Sequence, residues 1–263
     1  MKKLFAIALV LVLALTASAF AATKISIGAT PAPHAEILEV AKEILAKQDI
    51  ELEIVVFNDY IQPNTAVENG QLDGNYFQHI LYLNSFNEEN GTHLVAVEKI
   101  HYEPFGIYAG KCDALANIPE GAQIAVPNDS TNEARALLLL EQEGVIKLAE
   151  GVGLNATKLD IVENPYNVDI VEIEAAQLPR SLSSVEFAVI NGNYAIDAGL
   201  KASDALAFED SESDAIKNNY VNTLVVKEGN ENNEAILALA EVLKSDEIKN
   251  FINETYDGAV IPM

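Results

Sequence analysis

The chain has 263 residues, and 40 acidic against 16 basic side chains give it a formal net charge of −24. So acidic a surface repels nucleic acid and anionic lipid headgroups, which excludes nucleic acid as an expected partner. Cys112 is the only cysteine, so no intramolecular disulfide can form. No histidine lies near Cys112 in the sequence to serve as a base, and we expect no thiol nucleophile.

The N-terminus predicts an export signal. Two lysines precede an unbroken apolar run from Leu4 to Leu15, and Ala19 and Ala21 supply the small residues of a cleavage site. The run is too short to cross a bilayer as a helix. We therefore expect a signal peptide over residues 1–21 and a location in the periplasm or cell envelope. No cysteine follows the apolar run to carry a lipid, and the sequence leaves open whether the signal is cleaved or kept as an anchor.

Strand-length apolar runs alternate with segments of helical period along the rest of the chain. The first elements predicted are a strand at 24–29, a helix at 34–48, a strand at 51–57, a short helix at 64–69 and helical spacing over 73–83. The later ones are strands at 122–129, 158–164, 169–175, 185–192 and 223–229, with helices at 130–144, 193–200 and, as a pair, 233–256. This alternation predicts α/β units with parallel sheets.

Two such units predict two lobes. We expect lobe I to comprise residues 22–102 plus 220–263, and lobe II to comprise residues 103–219. A cleft between two lobes is a preferred place for a small ligand.

Arg135 is one of only two arginines, and it lies just inside a predicted helix. Asp129, Ser130 or Thr131 can cap that helix, whose N-terminal N–H groups attract an anion. The planar guanidinium matches a carboxylate bidentately. Arg135 is therefore interpreted either as a clamp for a ligand carboxylate or as the partner of one of the chain's own acidic residues.

Aromatic side chains are concentrated within residues 73–83 and at two strand-to-loop transitions. Aromatic rings with a polar tip suit a pocket for an apolar or thioether side chain, although an ordinary amphipathic helix explains the middle segment equally well. The candidates are Tyr60, Phe77, His79, Tyr82 and Phe105.

Two asparagines stand at predicted strand ends, where ligands of α/β proteins bind. Asn191 ends one strand and Asn222 begins another. An amide offers both a donor and an acceptor, so each can hold an ammonium or a carboxylate group. The alternative is that each asparagine only forms a turn.

Other chemistries find no support in the sequence. The four histidines lack the spacing of a metal site, and no phosphate-binding loop, dinucleotide fingerprint or nucleophile–base pair is visible. We therefore expect no enzyme activity, no metal and no cofactor.

Several motifs, taken together, resemble one family. They include GATPAPHAEIL, VFNDYIQPNTAV, LDGNYFQH, PNDSTNEARALLLL, AVINGNYA and YVNTLVVK. In this order, and over nearly all of the chain after residue 21, they are similar to the methionine-binding proteins of ABC importers, the MetQ/NlpA type.

The resemblance implies a type II periplasmic-binding-protein fold with the ligand in the cleft between the lobes. It implies that Arg135 pairs with the ligand carboxylate, that Asn191 and Asn222 hold the amino-acid backbone, and that the aromatic candidates line the side-chain pocket. It further implies a monomer that captures L-methionine and delivers it to a membrane permease. The alternative ligands on the same scaffold are D-methionine, a methionine dipeptide or another apolar amino acid. Family members commonly carry a lipid-anchored cysteine after the signal, and this chain departs from that pattern.

Overall fold

The computed structural model describes residues 22–210 and 218–263. The predicted signal peptide at 1–21 lies outside the described residues. Within the described part, no helix has the length and apolar character needed to cross a membrane.

The described strands and helices follow the predicted alternation. The strands are β1 (Thr23–Ala29), β2 (Ile50–Val56), β3 (Gly74–His79), β4 (Leu94–Tyr102), β5 (Gly106–Ala109), β6 (Gln123–Pro127), β7 (Lys147–Leu148), β8 (Ile161–Glu163), β9 (Asp169–Ile173), β10 (Phe187–Ile190), β11 (Ala205–Phe208), β12 (Val221–Lys227) and β13 (Ile261–Pro262). The helices are α1 (Glu36–Ala46), α2 (Gln62–Glu68), α3 (Ile80–Asn90), α4 (Ser130–Gln142), α5 (Leu178–Ser181), α6 (Gly192–Asp197), α7 (Glu234–Leu243) and α8 (Asp246–Tyr256).

Two sheets form the centres of two lobes, which confirms the α/β two-lobed class. The first sheet has the strand order β13-β4-β12-β3-β1-β2, and the second has the order β11-β5-β10-β6-β9. Helices α1, α7 and α8 pack on the first sheet around Ile27, Leu38 and Leu239. Helix α4 packs on the second around Ile124 and Leu137. Each lobe therefore has its own apolar core.

The prediction of parallel sheets is only partly right. Strand β1 is parallel to β2 and β3, and β6 is parallel to β9 and β10. Strand β12, however, is antiparallel to both β3 and β4. Strand β4 leaves the first sheet at Tyr102, and β12 enters it at the paired residue Val221. The two chain crossings between the lobes therefore run in opposite directions side by side.

The distribution of strands suggests where the lobes are divided. The first crossing occupies residues 103–105, and the second ends at Tyr220, directly before β12. We propose, on this basis, the lobe limits expected from the sequence.

The helical interpretation of residues 73–83 is wrong for their first half. Residues Gly74–His79 form β3, and the helix starts only at Ile80. All six residues of β3 are buried, because apolar clusters cover both of its faces: Tyr76 packs in the cluster of α1 and α7, and Phe77 packs in the cluster of α2 and α3. A strand covered on both faces loses its alternating pattern, so periodicity cannot distinguish it from a buried helix.

Candidate ligand-binding site

The pocket lies between the two lobes, where the strands of both sheets end. The space free of protein atoms here, part of which is open to solvent, is about 330 Å³. Its lining residues are Tyr60, Phe77, Gln78, His79, Tyr82, Glu103, Asn132, Arg135, Asn191, Gly192, Asn193 and Asn222. Aromatic rings, amides and two charged side chains, those of Glu103 and Arg135, thus line one pocket.

Phe105 is the predicted site residue that the structure does not bring to the pocket. It is fully buried in the core of the second lobe. Its ring packs 4.8 Å from the guanidinium carbon of Arg135. The other seven predicted residues line the pocket. The structure therefore does not place Phe105 among the lining residues, because at the end of the crossing, directly before β5, its ring turns into this core and packs against Arg135.

Three aromatic side chains form one wall of the pocket. The ring of Tyr60 lies 5.7 Å from that of Phe77 and 5.6 Å from that of Tyr82, and the last two are 6.1 Å apart. These separations fall in the range of favourable aromatic pairs, so the rings support one another. A wall of this kind offers an apolar, polarisable surface to a ligand side chain.

His79 is held in one tautomer at the junction of β3 and α3. Its Nδ1 accepts a hydrogen bond from the backbone N–H of Tyr82 at 3.1 Å, which caps the helix. The proton therefore sits on Nε2, which lies 3.2 Å from Asn132 Oδ1 and donates to it. Burial, with a smaller effect from the charge of Arg135, lowers the pKa of His79 to about 3. The imidazole is thus a neutral donor at neutral pH.

A chain of hydrogen bonds fixes the orientation of two amides beside this histidine. Asp129 caps α4, and its carboxylate accepts from Asn132 Nδ2 at 2.9 and 3.1 Å. Asn132 must therefore present Oδ1, which accepts from Asn191 Nδ2 at 3.0 Å. Asn191 Oδ1 is then buried with no partner among the described residues. The pocket thus contains an acceptor that the protein leaves unused.

Asn193 provides the complementary group. Its Oδ1 accepts from the hydroxyl of Tyr60 at 2.6 Å across the cleft, and its Nδ2 is buried with no partner in the described part of the chain. An unpaired buried polar atom costs about 1–3 kcal/mol. A ligand that carries both a donor and an acceptor would remove this cost at both asparagines.

Arg135 is paired within the protein. It is 5% exposed, and its Nε donates to Glu209 Oε2 at 2.9 Å while its Nη2 donates to the backbone carbonyl of Glu103 at 2.8 Å and also reaches Glu209. The ion-pair interpretation therefore describes one side of the guanidinium. Arg135 also lines the pocket, and the clamp for a ligand carboxylate stays a prediction.

Direct contacts between the lobes close the cleft beside the pocket. The hydroxyls of Ser85 and Ser130 are 3.0 Å apart, and the hydroxyl of Tyr194 donates to the carbonyl of Asn58 at 3.3 Å. With the Tyr60–Asn193 bond, these contacts join the two lobes beside the pocket.

The sequence interpretation missed five lining residues, namely Gln78, Glu103, Asn132, Gly192 and Asn193. Four of them lie inside the quoted motifs, so their neighbours were the available signal. Glu103 is the carboxylate in an otherwise aromatic and apolar stretch between two strands. An acidic side chain in such a stretch indicates a specific role and was the available signal.

The family model for NlpA lipoprotein matches residues 25–263. The chain belongs to the NlpA lipoprotein family. The chain is 41% identical over 241 residues to the D-methionine-binding lipoprotein MetQ of Escherichia coli, covering 90% of this chain and 87% of that protein. A crystal structure of a protein from Ruminococcus gnavus has 60% identity and a TM-score of 0.90, covering 92% of this chain and all of that one.

A third NlpA-like relative was solved with a ligand. It is a nutrient-binding protein from Burkholderia cenocepacia bound to methionine, with 40% identity and a TM-score of 0.86, covering 90% of this chain and 99% of that one. Membership of the NlpA family places the chain among the substrate-binding proteins of ABC transporters and not among enzymes.

Proposed function

We propose that this protein captures L-methionine, or a close analogue, outside the cytoplasmic membrane and delivers it to the permease of an ABC importer. The observation that carries the proposal is the polarity of the pocket. Aromatic rings line one part of it, while an unused acceptor on Asn191 and an unused donor on Asn193 face the other. A zwitterionic amino acid with a thioether side chain complements both parts.

The relatives support the same ligand. The Burkholderia cenocepacia protein is described as bound to methionine, and the Escherichia coli protein is named for D-methionine. D-Methionine is therefore the second candidate. It carries the same ammonium, carboxylate and thioether groups, and inversion at Cα changes only the directions from which they reach the polar atoms of the pocket. Export by the predicted signal peptide is part of the proposal, because capture for an importer must take place outside.

The test is isothermal titration of residues 22–263, unfolded and refolded to remove bound ligand. L-Methionine, D-methionine, a methionine dipeptide and leucine would be titrated in turn. Tight binding of L-methionine alone supports the proposal, and preferential binding of another compound redirects it to that ligand. No binding of any methionine derivative would contradict it.

The two arginines offer a matched pair of variants. Arg135→Ala should weaken methionine binding by about 100-fold or more, because a desolvated carboxylate would lose its charged donor. Arg180→Ala removes an exposed arginine on α5 and should change nothing. Arg135→Lys, which keeps a charge beside Glu209, separates lost binding from lost folding. Wild-type affinity in both Arg135 variants would refute the clamp.

A further inference from the structure

A cluster of buried titratable groups lies next to the pocket, and the predicted site did not include it. His34, His101 and Glu103 are 1%, 0% and 5% exposed, and their side-chain nitrogens and oxygens converge within 4.8 Å. His34 comes from the turn Pro31–Ala35 after β1, His101 from β4, and Glu103 from the first crossing between the lobes. Only Glu103 of the three lines the pocket.

Both imidazoles are oriented toward one carboxylate oxygen. An ionised carboxylate only accepts, so His101 Nε2 carries the proton and donates to Glu103 Oε1 at 2.7 Å, and Nδ1 accepts from the hydroxyl of Tyr76. His34 is held through its Nδ1 by Thr30 Oγ1 at 2.7 Å, and its Nε2 lies 3.3 Å from the same oxygen, a contact without hydrogen-bond geometry. Two hydroxyl–imidazole pairs thus occupy one side of the carboxylate.

These histidines are not counter-ions for Glu103. Burial lowers the pKa of His34 to about 4 and that of His101 to about 3, so both rings are neutral at neutral pH. The guanidinium of Arg135 reaches only the backbone carbonyl of Glu103 and is paired with Glu209. Burial, the largest influence, raises the pKa of Glu103, while the charges of His34 and Arg135 and the backbone N–H of Asn193 act in the opposite direction. No lysine or arginine nitrogen in the described residues forms an ion pair with the carboxylate.

The other carboxylate oxygen faces the second lobe at the pocket. A Cβ added at Gly192 would lie 2.9 Å from Glu103 Oε2 and 2.7 Å from Glu103 Cβ, so only glycine fits there. Asn191 directly precedes Gly192, and its Oδ1 is the buried acceptor without a partner. Carboxylate and amide oxygens thus lie at one end of the pocket, and an ammonium group has three donors to satisfy them.

We propose that Glu103, positioned by the Tyr76–His101 and Thr30–His34 pairs, is the counter-ion of the ligand's ammonium group and makes the site selective for a free amine. The inference rests on the proposed function and specifies its ligand class. The donors of Asn193 Nδ2 and of the Arg135 guanidinium then serve the ligand's carboxylate. A buried carboxylate without a cationic partner is costly even when it is hydrogen-bonded, and the incoming ammonium supplies the missing charge.

The probes are L-methionine and 4-(methylthio)butanoate, which is methionine without its amine. We expect the wild-type protein to bind methionine at least about 100-fold more tightly than the amine-free analogue, as for other buried charge pairs. In Glu103→Gln the affinity for methionine should fall by a similar factor, while that for the analogue changes by only a few-fold. The ratio of the two affinities should therefore collapse.

Two further variants keep the test decisive. Glu98→Gln neutralises a partly exposed glutamate of β4, the strand that precedes Glu103, and should leave the ratio unchanged; Glu98 pairs with Lys244 at 3.2 Å. Glu103→Asp retains the charge but retracts it by one methylene, so it should give an intermediate ratio if Glu103→Gln does not fold.

Three outcomes overturn the proposal. A wild-type ratio that persists in the folded Glu103 variants refutes the ammonium role alone. Failure of the wild-type protein to bind methionine or its analogue refutes the proposed function as well. The metal content of the purified protein would be measured by inductively coupled plasma mass spectrometry. One equivalent of metal that is lost in His34→Ala would make the cluster a metal site instead.

Discussion

The pair formed by Arg135 and Glu209 should be a main determinant of stability. The Glu209 carboxylate accepts from the hydroxyl of Tyr102 at 2.5 Å, from the backbone N–H of Phe105 at 2.9 Å and from Nε and Nη2 of Arg135. In Glu209→Gln an amide donor replaces one oxygen, and it faces guanidinium donors. Removing one partner of a buried pair costs about 3–5 kcal/mol because the other charge is left uncompensated.

The aromatic surroundings place the expected cost at the lower end of that range. The guanidinium carbon lies 4.2 Å from the ring centre of Tyr220 and 4.8 Å from that of Phe105. Such cation–π contacts contribute about 0.5–2 kcal/mol and survive the substitution. We expect Glu209→Gln to lower the free energy of unfolding by about 3 kcal/mol, measured by urea denaturation without ligand.

Glu163→Gln is the control. Glu163 pairs with Lys147 at 2.9 Å, but the two side chains are 66% and 58% exposed. Exposed pairs contribute less than about 1 kcal/mol, so this variant should resemble the wild type. Equal unfolding free energies for Glu209→Gln and the wild type, or equal losses in the two variants, would refute the reasoning from burial.

Three other predictions concern the pocket and its histidines. Tyr60→Phe removes the 2.6 Å hydrogen bond across the cleft and should weaken methionine binding by about 5- to 10-fold in titration, with an unchanged circular dichroism spectrum. Asn222→Ala should weaken binding by about 10-fold and leave the fold intact; a variant that simply unfolds would show a structural asparagine instead. Burial lowers the pKa of His34 from 6.5 to about 4, and those of His79 and His101 to about 3. Below pH 6.5 the unfolded chain takes up protons that the folded chain does not, so the stability present above pH 6.5 is lost as the pH falls toward these values. Each histidine contributes roughly 3 kcal/mol or more, and a urea midpoint that stays flat between about pH 7 and pH 4 would contradict the assignment.

Much of the architecture was predictable because local patterns carry it. The apolar face of α1 and the glycine after α4 are legible in the sequence, and Gly144 has the positive φ of 69° that such a stop requires. The alternation of elements indicated two α/β lobes for the same reason. Where burial is complete on both faces, as in β3, no period survives, and the prediction failed there.

The pocket also has features that the sequence indicated and features that only the fold decided. Arg135, Asn191 and Asn222 were identifiable from residue type and position at strand or helix ends, where backbone groups and side chains are free to meet a ligand. Which acid pairs with Arg135 was not identifiable, because forty acidic residues compete and only the fold selects Glu209, 74 positions away.

The sequence by itself thus determined the class of fold, and it predicted an export signal and most of the side chains that the structure brings to the pocket. The tertiary structure alone decided which polar atoms are left without partners. It brought His34 and His101 to Glu103, it fixed the amide of Asn191 through Asp129, and it turned Phe105 into the core. Hydrogen bonding and charge compensation in a buried site depend on contacts between distant segments, and no local pattern encodes them.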